Sequence, residues 1–203
     1  MGTKIEPVAG APEGTCDAVI RPLRADALRN RARVLEAAEA VFASEGISAP
    51  VDVIAEKAGV GVGTLYRHFP TKEKLLVAIL ATRITEIAAE ARERLQDEDP
   101  GAAFFNFLEN LVIESTKKRD LWMALNDAGI EFVEAAGEAK VELTAAFSAL
   151  LERAQKAGAV RSDVVPDVIM SLVSGTCMAA ENHNEAPPLS MLGIICDGLR
   201  VTR

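Results

Sequence analysis

The 203-residue chain predicts an all-α protein, with an N-terminal three-helix domain containing a helix-turn-helix and a larger helical bundle behind it. Three observations carry that fold class. Ala and Leu dominate an apolar fraction of 49% while aromatic residues supply 4%, and Ala and Leu lose least on entering a helix. Runs of β-branched residues with alternating polarity are scarce, so strand signals are poor. Apolar positions recur instead at three- and four-residue spacing between Gly and Pro breaks.

Residues 1–20 mix Gly, Pro, Ala and Thr without period and read as a flexible tail. From Ala25 the pattern turns helical: Val34, Leu35, Ala38, Val41 and Phe42 share one face, and Gly46 ends the helix. Val51 to Ala58 forms a second, short helix with Pro50 at its start. Gly59-Val60-Gly61-Val62-Gly63 does not continue a helix cheaply; Thr64 to Phe69 is the next helical piece, stopped by Pro70. Thr71 caps a long helix reaching about Gln96, although Lys74 stands where a capping box has Glu. Beyond Asp97-Glu98-Asp99-Pro100-Gly101 the spacing gives helices over 102–118, 121–128, 137–157, 166–182 and 189–199. The organisation read from this is a tail (1–20), a helix-turn-helix domain (21–74) and a larger helical bundle (75–203).

The formal net charge of −8 argues at first sight against a nucleic-acid partner. Residues 1–74, however, carry 10 Lys+Arg and 10 Asp+Glu, so the acidity belongs wholly to 75–203, with 12 and 20. Five arginines (Arg21, Arg24, Arg29, Arg31, Arg33) crowd into 13 residues of the head. Local charge, not the global sum, decides where a phosphate backbone docks. The three cysteines, Cys16, Cys177 and Cys196, lack metal or disulfide spacing and read as reduced thiols of a cytoplasmic protein. No apolar run spans a membrane, no signal peptide is visible, and neither a metal nor a cofactor is expected.

The informative run is Pro50–Leu76. The second helix of a helix-turn-helix presents small or polar side chains to the major groove, and Thr64, Tyr66, Arg67 and His68 supply four kinds within one and a half turns. Gly63 lets backbone approach a phosphate, Leu65 and Phe69 share a pinning face, and Lys72 sits in the first turn of the following helix, where amide dipoles favour an anion. Arg24 extends the basic surface toward the DNA backbone or minor groove.

Residues 30–76 resemble the DNA-binding domain of the TetR family of transcriptional regulators. The resemblance rests on Ile54-Ala55, Ala58-Gly59-Val60, Gly63-Thr64-Leu65-Tyr66, His68-Phe69-Pro70 and Lys72-Glu73, ungapped over about a quarter of the chain. It implies a homodimer binding an inverted-repeat operator through paired recognition helices, released by a small-molecule effector of unknown identity held in the C-terminal domain. It also implies DNA contacts from Thr64, Tyr66, His68 and Lys72; Gly63, Leu65, Arg67 and Arg24 complete the expected set. Two departures stand out: Gly61 and Val62 replace a serine and a polar residue, and Pro50 replaces a threonine, so a side-chain N-cap is lost.

In the bundle, Phe104, Phe107, Trp122, Met123, Asn126, Met178 and Asn182 are the expected lining of an apolar effector pocket with few polar anchors. Val168, Leu172, Gly175, Ala179, Leu192, Ile195 and Leu199, on the last two helices, are the expected faces of a four-helix dimer interface. An effector-independent architectural DNA-binding dimer is the alternative, with the same head and a solid core. An enzyme is disfavoured, because G-x-S-x-G, H-E-x-x-H, P-loop, Rossmann and di-iron signatures are all missing.

Overall fold

The computed structural model describes residues 16–117, 119–127, 129, 132–182 and 188–201. The described residues form α1 (Cys16–Glu45), α2 (Val51–Ala58), α3 (Val62–His68), α4 (Lys72–Arg94), α5 (Pro100–Lys117), α6 (Arg119–Asp127), α7 (Phe132–Lys156), α8 (Pro166–Asn182) and α9 (Pro188–Leu199), joined by short turns. They divide into two compact units, Met1–Pro70 and Thr71–Arg203. No helix among the described residues is long and apolar enough to cross a membrane.

The first unit holds α1, α2 and α3. α1 starts at Cys16, well before the expected Ala25, so residues 16–20 are helix and not tail, and the helix passes through Pro22. The remaining tail residues, 1–15, lie outside the described residues. α1 buries two rows spaced by three and four, Val34–Leu35–Ala38 and Ala37–Val41, on one side. It ends at Gly46, whose φ of 81° only glycine adopts readily. α2 adds Ile54, Ala55 and Ala58 to the same small core. Its N-cap is Pro50, which makes no side-chain cap bond.

The turn after α2 closes on Gly59, at φ 64°, with the Gly59 amide donating to Glu56 O (2.9 Å) and the Val60 amide to Ala55 O (3.0 Å). α3 then begins at Val62, two residues earlier than the spacing predicts, so Gly63 is inside the helix and not in the turn. Burial of Leu65 and Phe69, at 1% and 2% exposure, outweighs the roughly 1 kcal/mol that an interior glycine costs.

The second unit is a bundle around α4, α5 and α7, with α4 lying along α7. Thr71 caps α4, its Oγ1 accepting from the Lys74 amide at 3.3 Å. Phe147 of α7 stacks on Phe104 of α5 at 5.8 Å between centroids and is tilted against Phe107 at 6.1 Å. All three rings are fully buried. Polar ties run across the helices: Arg83 of α4 pairs with Glu114 of α5, Asn110 Nδ2 donates to Glu90 Oε2 at 2.6 Å, and Arg92 reaches Glu142 at 3.2 Å. α5 starts at Pro100, Asp99 Oδ1 accepting from the amides of Gly101 (2.9 Å) and Ala102 (3.0 Å). α7 kinks at Gly137 (φ 48°, ψ −130°), which separates residues 132–136 from the helix that the sequence predicts from Gly137 onward. The chain's end returns to α5: the Arg161 amide donates to Leu199 O at 2.9 Å, and the Arg200 guanidinium lies 4.1 Å from the Phe105 ring centroid.

Candidate nucleic-acid interface

α3 is only seven residues long, so its two faces follow directly from its spacing. Leu65 and Phe69, four apart, point into the head's core. Gly63, Tyr66 (44% exposed) and Arg67 occupy the opposite, open face, and Thr64 and His68, again four apart, are half-buried along its border. Five of the residues singled out in the sequence therefore form one continuous polar surface on one short helix. His68 is steadied by the neighbouring Phe69 ring, 6.4 Å away and tilted by 51°. Leu65 is corrected: at 1% exposure it cannot touch a partner, and its part is to fix the roll of α3.

The helix starts at Gly61 (φ −70°, ψ 145°), which makes no side-chain cap bond. The Gly61 carbonyl accepts from the amides of Thr64 (2.8 Å) and Leu65 (3.1 Å). The cap loss read from Gly61 and Pro50 is thus present at the start of both α2 and α3. Lys72 is half-buried in the first turn of α4. Beside it, the Thr71 hydroxyl and the backbone hold the Glu73 carboxyl below its ordinary range.

The basic cluster is less available than its charge count implies. Arg29 pairs with Asp26 one turn earlier, Arg31 stands 5.2 Å from the Phe69 ring centroid, and Arg33 Nη2 lies 3.5 Å from Gly59 O. The side chain of Arg24 lies outside the described residues.

Of the expected effector-pocket residues, the four whose side chains are described are not gathered in one place. Phe104 and Phe107 pack against Phe147 in the core. Met123 and Met178 are 49% and 63% exposed, so within this subunit neither lines an enclosed cavity. The reason is helical phase: Leu121 and Leu125 take the inner face of α6, and Ile169, Val173 and Thr176 that of α8. The side chains of Trp122, Asn126 and Asn182 lie outside the described residues.

The expected dimer residues divide. Val168 and Leu172 are 50% and 46% exposed, Gly175 is open and Ala179 half-buried, one continuous stripe along α8. Asp167, Val168, Ser171 and Leu172 border a shallow depression on that stripe. On α9, Ile195 is half-buried, whereas Leu192 and Leu199 are corrected: at 3% and 4% exposure they fill the subunit's own core. Sequence reasoning passed over Ile194, which is 77% exposed between them, and an apolar count on α9 without its phase could not have found it.

Two family descriptions fall on this architecture. The bacterial regulatory proteins of the tetR family match residues 34–79, and the C-terminal domain of SbtR-like transcriptional regulators matches residues 99–201, just over half of the chain. The chain belongs to the TetR family of transcriptional regulators. It is a helix-turn-helix regulator, with α2 and α3 as that motif, in a family of DNA-binding transcription factors and not of enzymes. A TetR transcription regulatory protein from Mycobacterium vanbaalenii is 43% identical, with a TM-score of 0.69 over 89% of this chain and 100% of that one. SCO0520 of Streptomyces coelicolor, also a TetR regulator, is 29% identical, with a TM-score of 0.65 over 85% and 99%. The regulator SrpR of Pseudomonas putida is 45% identical over 64 residues, which span 31% of this chain and 30% of SrpR. Among the described residues, no group of three or more His, Cys, Asp or Glu is placed to hold a metal ion.

Proposed function

We propose that this TetR-family regulator is a cytoplasmic homodimeric repressor that reads an inverted-repeat operator through α3 and leaves it when a small molecule binds the C-terminal bundle. The observation that carries the reading is the division of α3: Gly63, Thr64, Tyr66, Arg67 and His68 line one side, with Leu65 and Phe69 anchoring the other. A hydroxyl, a phenol, a guanidinium and an imidazole on a helix that narrow suit base edges and phosphates of a major groove. Lys72, in the first turn of α4, adds a phosphate contact as a point charge.

Dimerisation is supported by the apolar α8 stripe of Val168, Leu172, Gly175 and Ala179, continued by Ile194 and Ile195 of α9. Exposed apolar rows of this length on paired helices suit a four-helix contact between two copies. Phe104, Phe107, Trp122, Asn126 and Asn182 remain the proposed surroundings of the effector, without the exposed Met123 and Met178. Close packing of Phe104 and Phe107 against Phe147 favours a second reading, an effector-independent architectural dimer with a solid interior.

The test is selection of operators from a random duplex library at controlled salt, followed by the same binding measurement against a metabolite panel. Enrichment of an inverted repeat, lost on adding one compound, is the expected result. Sequence-blind, salt-sensitive binding that no compound alters would favour the architectural dimer, and absence of any binding would overturn both readings.

A further inference from the structure

We propose that Arg31 and Arg33 are positioning residues of the reading head, holding the helix-turn-helix from α1, Arg33 at the turn that precedes α3 and Arg31 at the C-cap of α3, and are not phosphate ligands. The proposal rests on the reading of α3 as the DNA-facing helix and assigns the stiffness of that helix to two charges that a sequence count gives to DNA.

Both arginines continue the buried face of α1 by one turn. Arg31 precedes the Val34–Leu35 row by three and four residues, and Arg33 precedes Ala37 by four and Val41 by eight. Both side chains are exposed, leaving α1 beside that face.

The two heads land on either side of α3, one on the C-cap of α2 in the turn before it and one on its own C-cap. Arg33 Nη2 lies 3.5 Å from Gly59 O, at the C-terminus of α2, where the last carbonyls carry partial negative charge. A Cβ built on Gly59 would stand 2.6 Å from that nitrogen, so the guanidinium sits directly on the bare face of the glycine. Glycine at 59 serves two needs together: the φ of 64° that closes the turn, and the room that lets Arg33 lie on it.

After α3, Arg31 Cζ stands 5.2 Å from the centroid of Phe69, the C-cap of that helix. A guanidinium at that distance from a ring is attracted by its quadrupole. Phe69 is itself 2% exposed, so the contact ties α1 to a fixed point of the core. α3 lacks a side-chain N-cap at Gly61 and carries Gly63 inside, so it depends on such outside supports for a single orientation.

The alternatives differ in what they do to binding. A phosphate ligand strengthens every duplex alike, and its loss lowers the salt slope by about 0.9 per phosphate. A positioning residue acts only where base edges must be met in register. The experiment compares the full-length protein with R31A and R33A on the selected operator duplex and on a scrambled duplex of equal length, across a salt series. Thermal melting by far-UV circular dichroism reports folding alongside. We expect operator affinity to fall about two- to fivefold while affinity and salt slope on the scrambled duplex stay unchanged. Parallel loss on both duplexes with a smaller salt slope would overturn the proposal while leaving the DNA-binding reading intact. If either alanine variant fails to fold, R33Q and R31L, which keep much of the side-chain bulk, are read by the same criterion. Failure of the unaltered protein to prefer any operator would overturn the reading beneath the proposal and the proposal with it.

Discussion

Gly63 is the residue of α3 that the protein itself has no use for. Its φ is not positive, it is exposed, and a Cβ built there meets nothing within 4 Å. Alanine at that position removes excess freedom from the unfolded chain and adds no clash, worth about 0.5–1 kcal/mol of folding stability in a helix. For a chain of this size that corresponds to a rise of roughly 1–4 °C in melting midpoint, if the head's unfolding is what limits it. The same methyl group stands between the α3 backbone and anything approaching its open face. We therefore expect G63A to melt higher and to bind the selected operator about tenfold or more weakly, a loss of about 1.4 kcal/mol or above. The assay is a pair of titrations on one preparation: melting by circular dichroism, and operator binding by fluorescence anisotropy at fixed salt. Unchanged operator affinity together with the higher midpoint would refute the reasoning, because a glycine needed neither for the fold nor for close approach would be left without a physical role.

Three further substitutions probe local supports of the fold. G61S places a hydroxyl at an extended N-cap with open space around its Cβ, and urea unfolding should show the head stabilised by about 0.5–1 kcal/mol. G101A would set a Cβ 2.7 Å from that of Ala159, so urea unfolding should show a loss of about 1–3 kcal/mol, recovered in large part by adding A159G. T71V removes the cap of α4 and should cost about 1 kcal/mol by the same measurement. It also frees Glu73, whose carboxyl is held below its ordinary range chiefly by the Thr71 hydroxyl. A depressed carboxyl stabilises the fold above its unfolded pKa and loses that contribution as pH falls through its folded value. Stability of T71V should accordingly fall less steeply between neutral and acid pH than that of the unaltered protein.

The sequence was most legible where punctuation and burial agree. Pro50 and Gly59 bracket α2, and its ends fall where they dictate. α3 was read too short because three glycines in five residues count against a helix, while the pull of Leu65 and Phe69 toward the core does not register in local propensity. Their four-residue spacing did announce a buried face, and Leu65 belongs to it, not to the DNA side. On α9, Leu192, Ile194, Ile195 and Leu199 are all apolar, so the pattern gives no phase; only packing decides that Leu192 and Leu199 turn inward and Ile194 outward. The pocket expectation had the same weakness: large apolar residues are an inventory, and Met123 shows that one two places from a buried leucine faces the other way.

Charge was the least legible property, for a reason that bears on how the head works. Five arginines in 13 residues look like a phosphate-seeking surface, yet the three whose side chains are described are engaged with Asp26, Phe69 and Gly59. Neither α2 nor α3 has a side-chain cap, and α3 carries an interior glycine, so little of the helix-turn-helix is held by its own local sequence. Its rigidity must come from α1: the Val34–Leu35–Ala38 and Ala37–Val41 rows below, and the two guanidinium heads at the rim. That division leaves the open face of α3 unencumbered by structural duties. Substitutions there should change which duplex is chosen with little change in folding, and substitutions in α1 should change how sharply the choice is made.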